Sequence, residues 1–267
     1  MGLRIQNNVE AFNAHRNVTA TAGRLGKAME KLSSGYRINR AADDAAGLAI
    51  SQKLRAQIMG LSQAARNAQD AVSLVQTAEG ALTEVHAMLN RVRELAVQFK
   101  NGSLSAADLT AVTSEVAALT AEIERIGVQS KFNGISLLNA TGTITFQVGA
   151  NDGETIAVAV VSLGAATSIA TLSLGSATAL ASVDAAIAAV STSRAGFGAV
   201  QNRLEYTLNN LATYQENLVA SESRIRDVDM AAEMVNFTKL QILQQAGTAM
   251  LAQANQMPQN VLSLLRQ

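Results

Sequence analysis

The side chains able to do chemistry are few and scattered. There are two histidines, His15 and His86, each on a stretch with helical periodicity and neither with a second histidine or carboxylate at metal-pair spacing. An imidazole acts as base, acid or ligand only with a partner to orient it, so both read as solvent-facing or boundary residues. Asp43 and Asp44 are adjacent carboxylates. Their place before an apolar helical run suits helix capping better than acid/base work. No cysteine occurs, which excludes disulfides, thiol nucleophiles and thiolate metal sites. No glycine-rich phosphate loop of either common spacing can be read. No catalytic residues, no cofactor and no metal site are therefore expected.

The elements that would have to position a site point elsewhere. Of 267 residues, 48% are hydrophobic and 16% charged, yet only 3% are aromatic, and proline occurs once, at Pro258. Apolar surface supplied by Ala, Leu, Val and Ile suits thin helix-on-helix seams better than a thick core, which usually draws on aromatics. With one proline, little interrupts long helices. The net charge is zero and no Lys/Arg cluster stands out, so the footprint of a nucleic-acid binder is absent.

Heptad spacing dominates. Leu74, Ala78, Ala81, Val85, Met88, Val92, Leu95 and Phe99 alternate steps of four and three. Upstream, Leu54, Ile58, Leu61, Ala65, Ala68, Val72 and Val75 do the same in a neighbouring phase. Leu109, Val112, Val116, Leu119, Ile123 and Ile126 form a third run. Val183, Val190, Phe197, Leu204, Leu211, Leu218 and Ile225 recur every seven residues. Such patterns place one apolar face on each helix and predict coiled-coil-like packing. A helix from Ala45 to Phe99 would be roughly 80 Å long, so the middle of the chain is expected to be a rod. Asp43 or Asp44 can cap it, Asn101-Gly102 can close it, and Ser105 can cap the next helix. Asn133-Gly134 reads as a turn.

The period then changes to two. Ile144, Phe146 and Val148 precede Asn151-Asp152-Gly153, and Ile156, Val158 and Val160 follow it, which predicts a β-hairpin near 143–160. Residues 162–178 read as a short connection. The uncharged stretch from Thr155 to Val183 is broken by Gly164 and Gly175 and lacks basic flanks, so no membrane span is expected. The first nine residues lack the apolar stretch of a cleaved secretory signal.

Both ends carry apolar stripes. Ala22, Leu25, Met29, Leu32 and Tyr36 keep the spacing at the front, and Leu240, Leu243, Gly247, Met250, Ala254, Met257, Val261 and Leu264 keep it at the back, with Leu265 adjacent. Chain termini are normally polar and frayed. These are expected to pair with each other and with further copies of the chain. The Gln and Asn residues beside the rear stripe, such as Gln244 and Gln253, suit polar contacts in a crowded assembly. Pro258 is expected to interrupt the backbone bonding of the last helix.

Several segments resemble bacterial flagellin. Lys31 to Asn39 (KLSSGYRIN) with Asp43 to Gly47 (DDAAG) is similar to its N-terminal signature. Arg91 to Gln98 (RVRELAVQ), Phe132-Asn133-Gly134 and Gln147 to Ile156 (QVGANDGETI) resemble its next blocks, and Gln241 to Arg266 its C-terminal signature. The resemblance covers the chain except about 162–178, where larger members carry outer domains, so it implies a minimal form. It implies a mainly α fold: a long antiparallel coiled-coil-like helical rod with one β-hairpin, its terminal helices forming a paired inner segment. Residues 1–42 with 225–267 would form a polymerisation domain lining an inner tube, and 43–224 the rod around it. The function implied is a structural, non-enzymatic subunit that self-assembles into the extracellular flagellar filament for motility. Partners implied are the chain itself, the flagellar export apparatus, an export chaperone and the filament cap. Arg91, Leu95 and Glu122 resemble positions contacted by the vertebrate toll-like flagellin receptor. The rivals are another flagellar axial rod protein, such as a hook–filament junction protein, and a soluble coiled-coil adaptor.

Overall fold

The computed structural model describes residues 8–164 and 173–264, with side chains described as far as Met257. Among the described residues five long helices and two small hairpins follow in order: α1 (Val9–Ser34), α2 (Ala45–Phe99), α3 (Ala106–Gln129), β1 (Lys131–Phe132), β2 (Ile135–Ser136), β3 (Asn139–Gln147), β4 (Thr155–Ser162), α4 (Ala179–Arg226) and α5 (Met230–Leu264). They form two compact units, Met1–Ala56 with Asn217–Gln267, and Gln57–Glu216.

In the terminal unit α1 and α5 run antiparallel. Asn8 caps α1 by accepting from the Ala11 N–H, and its own Nδ2 donates to the Ala254 carbonyl at 2.7 Å. Gly35, at φ 75°, ends the helix in the left-handed conformation that glycine adopts without strain. A short β-bridge ties the two connections of this unit together. Arg37 N–H donates to the Arg226 carbonyl at 2.7 Å, and Val228 N–H to that of Gly35 at 3.0 Å. The Arg226 guanidinium lies 4.3 Å from the centre of the Tyr36 ring, a cation–π contact.

The two adjacent carboxylates divide their labour. Asp44 caps α2, accepting the Gly47 N–H at 2.9 Å. Asp43 instead accepts the backbone N–H groups of Asn39 and Arg40, at 3.2 and 3.0 Å, and so holds the turn before the helix.

The second unit is built on α2, whose buried stripe from Leu61 to Ala96 faces α3, α4 and the sheet. Leu61, Ala64, Ala68, Ala71, Val75, Ala78, Leu82, Val85, Leu89, Val92 and Ala96 alternate steps of three and four and are almost fully buried. Expectation differs here. Ala65, Val72, Ala81 and Met88 are only half-buried, because the seam takes one alternating position from each expected run, Leu61, Ala68 and Val75 from the upstream one and Ala78, Val85 and Val92 from the downstream one. Phe99, at the end of the helix, is half-buried too. Leu74 and Leu95 are still buried, since a stripe packed by several neighbours is wider than a two-helix seam. Val112, Val116 and Ile123 of α3, and Val183, Val190, Phe197, Leu204 and Leu211 of α4, are buried as their spacing predicts. Ser105 forms a capping box with Asp108 at the start of α3.

The β3–β4 hairpin pairs Ile144 with Val158 and Phe146 with Ile156. Its inner face joins Leu74, Leu82, Leu89 and Phe197 in the main core. Glu154 secures its turn by accepting from the backbone and side-chain N–H groups of Asn151, at 3.0 and 3.1 Å. The Asn133-Gly134 turn closes a second, two-residue hairpin, β1–β2, where a turn alone is expected. Asn133 and Gly134 have φ of 48° and 81°, the paired positive angles that a tight hairpin turn requires.

Candidate assembly surface

The terminal helices differ: the pairing covers the one apolar stripe of α1 and leaves Val9, Phe12 and Met29 exposed outside it, whereas α5 carries a second apolar stripe that the pairing leaves uncovered. On α1 the inward positions are Ala14, Val18, Thr21, Leu25, Ala28 and Leu32. On α5 they are Phe237, Leu240, Gln244, Gly247, Leu251 and Ala254. Both sets step by three and four. Small residues set this choice. A Cβ added at Gly247 would lie 2.8 Å from Cγ2 of Val18, so only glycine admits so close an approach.

The expected interface residues therefore divide. Leu25 and Leu32 are half-buried in the seam, Leu240 is buried within it, and Tyr36 is half-buried beneath Arg226. Ala22, Met29, Leu243, Met250 and Met257 are exposed. The rear stripe of the sequence, at 240, 243, 247, 250, 254 and 257, is thus two sets interleaved, one facing α1 and one facing out. The side chains of Val261 and Leu264 lie outside the described ones, and Leu265 outside the described residues. The outward set is larger than the spacing suggests. Phe12 is 72% exposed, Val235 71%, Met250 65% and Ile242 61%. Phe12, Val235 and Ile242 are absent from the expected set because they lie off its phase. The signal that finds them is a large apolar residue next to a seam position, where a solvated helix face would carry charge.

Side chains that can do chemistry are engaged structurally or stand apart. His15 is exposed; His86 is half-buried, and its Nδ1 has no hydrogen-bond partner. The two backbone N–H groups hold the Asp43 carboxyl below its ordinary range, and Arg125 does the same for Glu122. A groove of about 540 Å³ beside the β3–β4 turn is lined by Leu61, Ile156, Arg203, Tyr206 and Tyr214. Its carboxylate, Glu154, is committed to Asn151. Among the described residues no three His, Cys, Asp or Glu side chains cluster as metal ligands, and no helix is long and apolar enough to cross a membrane.

The three expected receptor-contact residues do not form one surface. Arg91 is exposed and pairs with Glu115 of α3 at 2.9 Å and with Glu94 at 3.2 Å. Glu122 pairs with Arg125 on its own helix. Leu95 is 1% exposed, packed with Val92, Val112, Val116 and Val183. Its heptad position and its candidacy as a surface contact compete, and the seam takes the side chain.

Long heptad helices, an antiparallel terminal pair with one stripe uncovered, and reactive groups tied into caps and ion pairs describe a structural subunit built for association. Comparison with known proteins gives the family. Residues 5–143 match the bacterial flagellin N-terminal helical region, and residues 180–265 its C-terminal helical region. The chain is 53% identical to a flagellin of Halalkalibacterium halodurans over 98% of this chain and 99% of that one. It is 49% identical to a flagellin of Bacillus subtilis, covering 99% and 100%, and 46% identical to the flagellar filament 33 kDa core protein of Treponema phagedenis, covering 98% and 99%. The crystal structure of Bacillus cereus flagellin superposes with a TM-score of 0.50 at 33% identity, over 55% of this chain and 88% of that one. This chain belongs to the bacterial flagellin family.

Proposed function

We propose that the chain is the structural subunit of a bacterial flagellar filament and that its terminal unit is the part that polymerises. The observation that carries this reading is the set of apolar side chains left exposed outside the seam that pairs the two helices, Phe12 and Met29 on α1 and Val235, Ile242, Leu243 and Met250 on α5. Apolar area left in water costs roughly 25 cal/mol per Å², and stacking against further copies removes that cost. A head-to-tail contact that does not close generates a helical polymer. Residues 1–42 with 225–267 line the inner layer of the filament, and 43–224 pack around them. The subunit has no catalytic role. It leaves the cell through the flagellar export channel, escorted by an export chaperone, and adds beneath the filament cap. No receptor role is assigned to Arg91, Leu95 and Glu122, because Leu95 is buried.

Deleting residues 1–42 and 225–267 tests the reading. The remaining segment is expected to stay helical by circular dichroism and to form no sedimentable filaments. Filaments from that fragment in electron micrographs would sink it.

A further inference from the structure

The chain has eight methionines and no cysteine, so the thioethers are its softest nucleophiles. Met29, Met59, Met230, Met234, Met250 and Met257 are exposed, between 40% and 65%, while Met88 is half-buried. All of the exposed ones but Met59 lie in the terminal unit. Met250 and Met257 stand seven residues apart on the same outward stripe of α5 as Leu243, and Met29 follows the seam residue Ala28 on α1.

We propose that Met29, Met230, Met234, Met250 and Met257 are oxidation sites that gate assembly, with hydrogen peroxide or a hypohalous acid as the oxidant. With peroxide the sulfur attacks one oxygen, the O–O bond breaks, and water leaves. Sulfur is oxidised by two electrons to the sulfoxide as peroxide is reduced. The product replaces a flexible apolar side chain with a polar one whose oxygen accepts hydrogen bonds. In the free subunit that oxygen is solvated and harmless. In a polymer contact it must be desolvated, so oxidation opposes assembly and leaves the folded subunit nearly unchanged. Oxidation before assembly therefore blocks addition, whereas assembly first shields the sulfurs. The inference rests on the proposal that the terminal unit polymerises.

The test uses the full chain. Subunits are exposed to hydrogen peroxide, mapped by peptide mass spectrometry, and assayed for polymerisation by sedimentation. The five terminal methionines should each gain one oxygen before Met88 does. The critical concentration should rise about tenfold or more, the scale set by losing the burial of one or two apolar side chains. Treatment with methionine sulfoxide reductase and a dithiol should restore it. A chain carrying Met29→Leu, Met230→Leu, Met234→Leu, Met250→Leu and Met257→Leu should polymerise and ignore peroxide. The milder pair Met29→Leu with Met250→Leu, which is easier on folding, should lose part of the sensitivity. Five complete sulfoxides with an unchanged critical concentration would overturn the inference, as would peroxide sensitivity that survives in the leucine chains. Either result leaves the assembly reading intact, which fails separately if the end-deleted chain makes filaments.

Discussion

The two units bury their apolar residues to very different degrees. From Leu61 to Ala96, thirteen residues of α2 are buried, most of them completely. In each terminal helix a single described residue reaches that state, Ala28 in α1 and Leu240 in α5. The apolar supply is similar, but in residues 57–216 several elements converge on one helix, while α1 and α5 chiefly have each other. A two-helix pair covers one stripe per helix, and any second stripe remains in water. One unit covers its apolar residues within the chain; the other leaves apolar side chains that the proposed association would cover.

The sharpest way to break this contrast is a cavity in the complete unit. Phe197→Ala, at a core position 4% exposed, is expected to destabilise the subunit by about 3–5 kcal/mol in denaturant unfolding. An effect near zero would mean that the core of this unit is not saturated. Within the terminal pair, Gly247→Ala drives a methyl group against Val18 Cγ2, on a β-branched side chain with little freedom in a helix. Overpacking of this kind costs about 1–3 kcal/mol and should appear as faster amide exchange in α1 and α5, with residues 57–216 unaffected. Val235→Ser and Ile242→Ser on the outward stripe should change subunit stability by less than about 0.5 kcal/mol while raising the critical concentration for polymerisation. Equal effects on both would erase the distinction between seam and outward stripe.

Acid sharpens the comparison further. The carboxyl of Asp43 is held low by the N–H groups of Arg40 and Asn39. A depressed folded pKa contributes stability that is present above the unfolded carboxylate value, about 3.9, and is lost as pH falls through the lower folded value. Asp43→Asn should therefore weaken the loop before α2 at neutral pH and flatten its response below about pH 4, followed by amide exchange of residues 39–47. The smallest effect is expected at Arg93, whose ion pair with Asp184 is half-exposed at 2.7 Å. Arg93→Ala should leave the melting temperature unchanged within error, since such pairs are screened and conformationally costly.

Much of this was legible in the one-dimensional pattern. The α3 and α4 stripes, the Ser105 cap and the β3–β4 hairpin follow from spacing and turn chemistry, because each has one apolar phase or one suitable residue. Where alanine and larger aliphatics occupy adjacent heptad phases, spacing ceases to discriminate. That is why the seam of α2 runs through Leu82 and Leu89 and leaves Met88 half-buried. The β1–β2 pairing was hidden because two-residue strands carry no period. Leu95 shows the converse, a motif position whose side chain the core claims.

By itself, then, the sequence determined that this protein is long helices with surplus apolar faces, since composition, heptads and caps act locally along the chain. Only the tertiary structure decided which stripe of each terminal helix turns inward. Close approach of two backbones depends on where small residues meet across the seam, as Gly247 meets Val18, and that complementarity belongs to the pair of helices, not to the periodicity of either one.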